Sequence, residues 1–375
     1  MKTTIRRNKA TISVLGGIGI LLIAALLVVP AYGWDRGVAT TFATLPQGSA
    51  HPEGITTDSE GNFYVVTWDY ERAGKVGTII PGKVGHLIVF APDGKFIRRV
   101  EIAGSSNLLG DISFHPESGN WLVVDYGGKQ VLKVDPMTGA SSVFISIPGE
   151  AIGSPSPRNT WAAPNGMTFD KKGNIYLTDS YQGTVWRSGS TGGTPTAWVK
   201  SDLLISHGNP PLGANGLAFD RDETALFVGN AGDDRIIIVP VVNGEAGEPK
   251  VFINGVNGPD GMFVDEEDRL WVVANQSDEI VVFDKTGKVI AKLGDFNGLD
   301  ERGAPRGLLF PAEMTKVGDY LYVGNLAVDT GYFKGGPALA ICFKGVLRTV
   351  ISQWAGEVKS YNIVRIPVRI PPSPK

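Results

Sequence analysis

A short motif that pairs an oxygen-bearing side chain with glycine returns along the chain, and its spacing constrains the fold more than any other feature. It first appears as His51-Pro52-Glu53-Gly54-Ile55. Variants follow at Gly110-Asp111-Ile112, Pro164-Asn165-Gly166-Met167, Ala214-Asn215-Gly216-Leu217 and Pro259-Asp260-Gly261-Met262, with a degenerate sixth copy at Pro311-Ala312-Glu313-Met314. The polar residues stand 58, 54, 50, 45 and 53 positions apart. That period is one blade of a β-propeller.

The residues between copies agree with four short strands per repeat. Eight positions after the polar residue of the first five copies come Gly61, Gly119, Gly173, Glu223 and Asp268, and an apolar run follows each, such as Asn62-Phe63-Tyr64-Val65-Val66 or Asn174-Ile175-Tyr176-Leu177-Thr178. Runs of that length between Gly and Asp read as buried strands. Third strands follow at Val131–Val134, Thr184–Trp186, Ile236–Val239 and Ile280–Phe283. The expected fold is an all-β, six-bladed propeller. Thr40–Leu45 supplies the outermost strand of the last blade, whose third strand is Ile363–Val368, so that the ring closes without open edges.

Residues 1–33 are a segment of another kind. Lys2, Arg6, Arg7 and Lys9 precede a nearly unbroken apolar run from Ala10 to Val29, with no acid before Asp35. This pattern predicts a signal peptide, or an uncleaved anchor that holds the chain to a membrane through residues 10–29. Either one puts residues 34–375, the propeller, outside the cytoplasm, secreted or membrane-anchored. Without the four basic residues of the leader, 31 basic residues face 38 acidic ones, which argues against nucleic acid as a partner. Cys342 is the only cysteine, so no intramolecular disulfide is available. Two insertions interrupt the repeat, one from Tyr70 to Gly85 and one over 330–356. The second contains an apolar stretch, Ala338–Trp354, that suits a lid, a surface-seeking helix or a hairpin on the rim.

First strands line a propeller's channel, so a polar residue repeated in all six blades forms a ring around it. The ring would comprise Glu53, Asp111, Asn165, Asn215, Asp260 and Glu313. Carboxylate and amide oxygens are the donors a hard cation such as Ca²⁺ takes. Were these residues only capping turns, Ser, Thr and Gly would appear among them. By contrast, Asp58, Asp170, Asp220 and Asp265 precede the turns into the second strands and read as turn caps. Asp125, Asp179, Asn230, Asn275 and Asn325, at second-strand ends, read the same way. The aromatic residues read as blade packing.

The ordered Glu-Gly, Asn-Gly, Asn-Gly and Asp-Gly-Met motifs resemble the family of senescence marker protein (regucalcin), gluconolactonase and luciferin-regenerating enzyme, over about residues 40 to 370. The resemblance implies a divalent cation, usually Ca²⁺, held by Glu53, Asn165, Asn215 and Asp260, and hydrolysis of a lactone or related ester. Asp260 would be the general base, with the further acids Asp111 and Glu313 as alternatives. The third-blade motif has Asn165-Gly166 where the sugar-lactonase branch has Asn-Asp, which points away from an aldonolactone. The looser Asn-Gly form also resembles strictosidine-synthase-like propellers, implying a metal-free enzyme, and NHL-type propellers, implying an exported binding module that catalyses nothing.

Overall fold

The computed structural model describes residues 36–69, 79–328, 350–368 and 370. The predicted leader 1–33, most of the first insertion and 330–349 of the second lie outside them. Within them the chain forms six sheets around a common axis. In blade 1 the strands run outward as Pro52–Thr57, Phe63–Thr67, His86–Phe90 and Phe96–Glu101. The innermost strands of blades 2 to 6 are Leu109–Phe114, Pro164–Phe169, Ala214–Phe219, Pro259–Val264 and Pro311–Val317. In the last sheet Thr40–Thr44 pairs antiparallel with Asn362–Pro367 as the outermost strand. This is the closure the sequence predicts.

Blade packing explains why the second strands are apolar on both faces. Side chains alternate across a strand, and each blade lies between two neighbours. Phe63 and Val65 therefore enter the cluster shared with blade 6, while Tyr64 and Val66 enter the one shared with blade 2. The same division recurs at all six blade junctions. A seventh cluster caps one end of the channel, with Trp68, Tyr126, Phe310, Ala312, Leu326 and Val328.

Turn chemistry follows the sequence reading. The Oδ1 atoms of Asp58, Asp170, Asp220 and Asp265 each accept two backbone N–H groups from the following turn. The end of the second insertion is a helix, Val350–Glu357, and not a hairpin. It is held because Ala355 and the following Val358 bury against the junction of blades 6 and 1, and Trp354 meets the edge of Phe296 at 5.9 Å. Phe296–Leu299 and Pro305–Gly307 form a further two-stranded ribbon between blades 5 and 6, unmarked by the repeat. Among the described residues no helix is long and apolar enough to cross a membrane.

Polar contacts reinforce the seam between the last blade and the first. Buried His51 places Nδ1 2.7 Å from Leu326 O and Nε2 3.0 Å from the Tyr361 hydroxyl. A carbonyl only accepts, so Nδ1 carries the proton and Nε2 accepts from Tyr361. His51→Phe should lower stability by about 1–3 kcal/mol through loss of both bonds, read as a lower urea midpoint; an unchanged midpoint would show that the seam does not depend on them.

Candidate functional site

All six innermost strands carry the same irregularity. Register shifts between Pro52 and Ile55, Leu109 and Ile112, Pro164 and Met167, Ala214 and Leu217, Pro259 and Met262, and Pro311 and Met314. A bulge leaves two residues out of the ladder and re-aims their side chains. Here these are the motif residues, at the place where the blades crowd the axis. A Cβ on Gly216 would collide with Asp260 O of the next blade, and one on Gly54 would lie 2.8 Å from Asp111 Cα. Glycine is what lets the inner strands approach.

Register divides the six polar residues into two tiers. Glu53, Asn165, Asn215 and Asp260 occupy the first bulge position, whereas Asp111 and Glu313 occupy the second, aligned with the glycines of the other blades. One residue along a strand reverses the side-chain face. The first four accordingly line a cavity of about 40 Å³ with Asn275, Trp68 and Phe310, among others. Asp111 and Glu313 line a wider cavity of about 420 Å³, towards the other end of the inner strands. The expected six-membered ring is thus a quartet on one side and a pair on the other.

Within the quartet, Asn165 Nδ2 donates to Ser180 Oγ at 3.1 Å and Asn275 Nδ2 donates to Asp260 Oδ2 at 3.0 Å. The Asn215 side chain also favours the ionised form of Asp260. Glu53 Oε2 and Asn275 Oδ1 are buried without a partner. Asn275 belongs to the site although the sequence groups it with turn caps; Asp125, Asp179, Asn230 and Asn325 do serve local backbone groups. Trp68, read from sequence as packing, lines the cavity.

None of the described residues lining either cavity is basic. Burial raises the Asp260 carboxyl to about 7, with repulsion from Asp111 adding to it and hydrogen bonds from Asn275 and Asn215 opposing. Burial likewise raises Asp111 to about 6 against two backbone N–H donors. Glu53 rises well above the usual carboxylate range through burial first, then repulsion from Asp260, Glu313 and Asp111. Glu313 rises through burial and the charges of Asp111 and Asp260. A cation among these oxygens would reverse the penalty.

Donor chemistry fits such a cation at the quartet. The four side chains offer oxygens only, which suits Ca²⁺ or a similar hard ion, and Glu53 Oε2 has nothing else to bind. A volume near 40 Å³ has room for an ion and a water or two. Among the described residues no three Asp, Glu, His or Cys side chains converge closely enough to hold a metal ion. The quartet supplies two acids, completed by two amides.

Apolar residues close the quartet's end. Trp68, Leu212, Phe310, Leu326 and Val328 line the small cavity. Phe310 adopts φ +43°, a conformation non-glycine residues seldom take. Buried Asp278 holds it there, its Oδ1 accepting from Phe310 N at 2.7 Å, while Leu309 N donates to Asn325 Oδ1 at 2.9 Å.

Residues 113–294 match the family model described as SMP-30/Gluconolactonase/LRE-like region. Over that stretch, just under half of its length, the chain is similar to the SMP-30/gluconolactonase/LRE-like propellers. Solved structures agree on the fold of this gluconolactonase-like chain. A gluconolactonase from Xanthomonas campestris superposes with a TM-score of 0.54 at 14% identity, over 90% of this chain and 91% of that one. Regucalcin from Agrobacterium tumefaciens, a calcium-binding protein, gives 0.54 at 14% identity over 89% and 94%. A luciferin-regenerating enzyme gives 0.53 at 16% over 85% and 92%. Among curated proteins, the adipocyte plasma membrane-associated protein Hemomucin of Drosophila melanogaster is 27% identical over 176 residues, 44% of this chain and 30% of that protein. The match thus spans under a third of the fly protein.

The uncompensated acids give a signed pH dependence. In chelating buffer below pH about 4 they are protonated folded or unfolded. As pH rises, the unfolded chain releases protons that the folded one retains up to about 6 for Asp111 and about 7 for Asp260, so their burial destabilises progressively. Glu313→Gln removes one member of the cluster and should raise the melting temperature above wild type at pH 8, with the gain lost by about pH 3.5, where the unfolded carboxylate is itself protonated. A gain equal at both would show that Glu313 is not repelled.

Proposed function

We propose that this propeller hydrolyses lactones or related esters at the cavity bounded by Glu53, Asn165, Asn215 and Asp260. One observation carries the reading: four oxygen-bearing side chains from four blades meet at a single small cavity that no described basic residue lines, and one carboxylate oxygen there has no partner.

The four side chains would hold Ca²⁺ or another divalent cation, as the family resemblance implies for these positions. When bound, such an ion polarises an ester carbonyl, takes up charge developing on its oxygen and keeps the carboxylates ionised. Asp260 acts as general base, taking a proton from the attacking water and returning it to the leaving alkoxide. Asn275 Nδ2, 3.0 Å from Asp260 Oδ2, orients that carboxylate. Asp111 and Glu313 line the other cavity, so they influence Asp260 through charge and not through contact with the same water. Trp68, Leu212 and Phe310 supply the apolar part of the wall beside the reacting group. The small cavity itself admits only the reacting group.

The reaction is placed outside the cytoplasm on account of the leader pattern in residues 1–33. A membrane location accords with the name of the fly relative.

The test is turnover of a lactone and ester panel by the full-length protein in mild detergent, before and after chelation and Ca²⁺ repletion. Turnover should fall about 100-fold or more on chelation and return with Ca²⁺, and Asp260→Asn should lower kcat by about 10²–10⁴-fold with the fold intact. Turnover indifferent to chelation would instead support a metal-free enzyme of the strictosidine-synthase kind. Absence of turnover across the panel, with Ca²⁺ still raising the melting temperature, would support a binding propeller.

A further inference from the structure

We propose that the wider cavity, at the far side of the inner strands from the quartet, is a separate binding site for a small amphiphilic primary amine. The proposal stands independently of the hydrolase reading.

The cavity of about 420 Å³ falls in the size range of small-molecule sites, and its lining is divided by blade. Two positions beyond the second bulge residue of each motif, blades 6, 1, 2 and 3 present Thr315, Thr56, Ser113 and Thr168 to it. Blades 4 and 5 present Ala218 and Phe263 at the same position, flanked by Leu217 and Met262. One arc is hydroxylated and the opposite arc is apolar. Asp111 and Glu313 enter from the hydroxylated arc because blades 2 and 6 carry their acid at the second bulge position. Gly261 permits this, since the Glu313 carboxylate lies where a Cβ on Gly261 would stand.

The lining accepts hydrogen bonds and does not supply positive charge. Glu313 Oε1 accepts from Met314 N at 2.9 Å, and no described protein group donates to Oε2. None of the described lining residues is basic. An anion would be repelled here, and a neutral alcohol would leave the carboxylates uncompensated. A metal ion is poorly served, because both Asp111 oxygens already accept backbone N–H groups, from Ile112 at 2.6 Å and Met167 at 2.9 Å. An ammonium group brings one positive charge and three donors. It would lie against Glu313 and the hydroxyls, with its hydrocarbon portion on Phe263 and Leu217.

The experiment is calorimetric titration of the full-length protein in mild detergent with phenethylamine, 2-phenylethanol and 3-phenylpropionate. The amine should bind saturably, the alcohol at least about tenfold more weakly and the carboxylate not at all. Glu313→Gln should weaken the amine about tenfold or more, and Ala218→Lys, which delivers an ammonium from the wall itself, should abolish binding. Val328→Ala, an uncharged change in the wall of the other cavity, should leave amine affinity within about twofold. Melting curves confirm that each variant is folded; should Glu313→Gln unfold, the wild-type ranking of the three ligands decides. Equal affinity for amine and alcohol, no amine binding, or sensitivity to Val328→Ala in place of Glu313→Gln would overturn the proposal.

Discussion

Everything at the centre of this molecule depends on how closely six innermost strands approach one axis. Each strand bulges at its motif, and in four of the six the second bulge residue is glycine. A side chain there would strike its neighbour: Gly166 faces Asn215 O of the next blade at 2.9 Å from where its Cβ would be, and Gly216 faces Asp260 O more closely still. The approach leaves little volume, and the first bulge residue of those four blades fills it with an oxygen. Apolar packing between blades makes the ring; the bulges decide what the ring presents to its own axis.

Charge follows from that crowding. Four carboxylates stand in or beside a narrow channel whose described lining offers no basic side chain. Buried acids without a counter-charge are costly, and each raises the proton affinity of the others. Burial, with repulsion from Asp111 added, raises the Asp260 carboxyl to about 7, and the same two penalties are what a cation would relieve. Two tiers of acid, opening to opposite cavities, give the channel two chemically different ends: one small and walled by Trp68 and Phe310, the other wide and hydroxylated.

Much of this was legible in the sequence, because propeller architecture repeats its rules. Blade number, strand order, closure by Thr40–Thr44 and the capping role of Asp58, Asp170, Asp220 and Asp265 follow from local turn chemistry and spacing. The division of the polar residues has a weak signal of its own, since glycine precedes Asp111 and follows Glu53. The distance to the next glycine masks it. Blade 2 pairs Ile112 with Val123, eleven residues on, where blade 1 pairs Ile55 with Val65, ten residues on. The longer turn cancels the one-residue offset, so both counts reach a glycine. Asn275 was illegible for another reason. It occupies the same repeat position as Asn230 and Asn325, and only the three-dimensional approach of Asp260 distinguishes it.

If Glu53, Asn165, Asn215 and Asp260 form one cation site, a crystal grown with Ca²⁺ will hold an ion bonded to all four at roughly 2.3–2.6 Å, with water completing its coordination. Water alone in that cavity at saturating Ca²⁺, or an ion found only between Asp111 and Glu313, would contradict it.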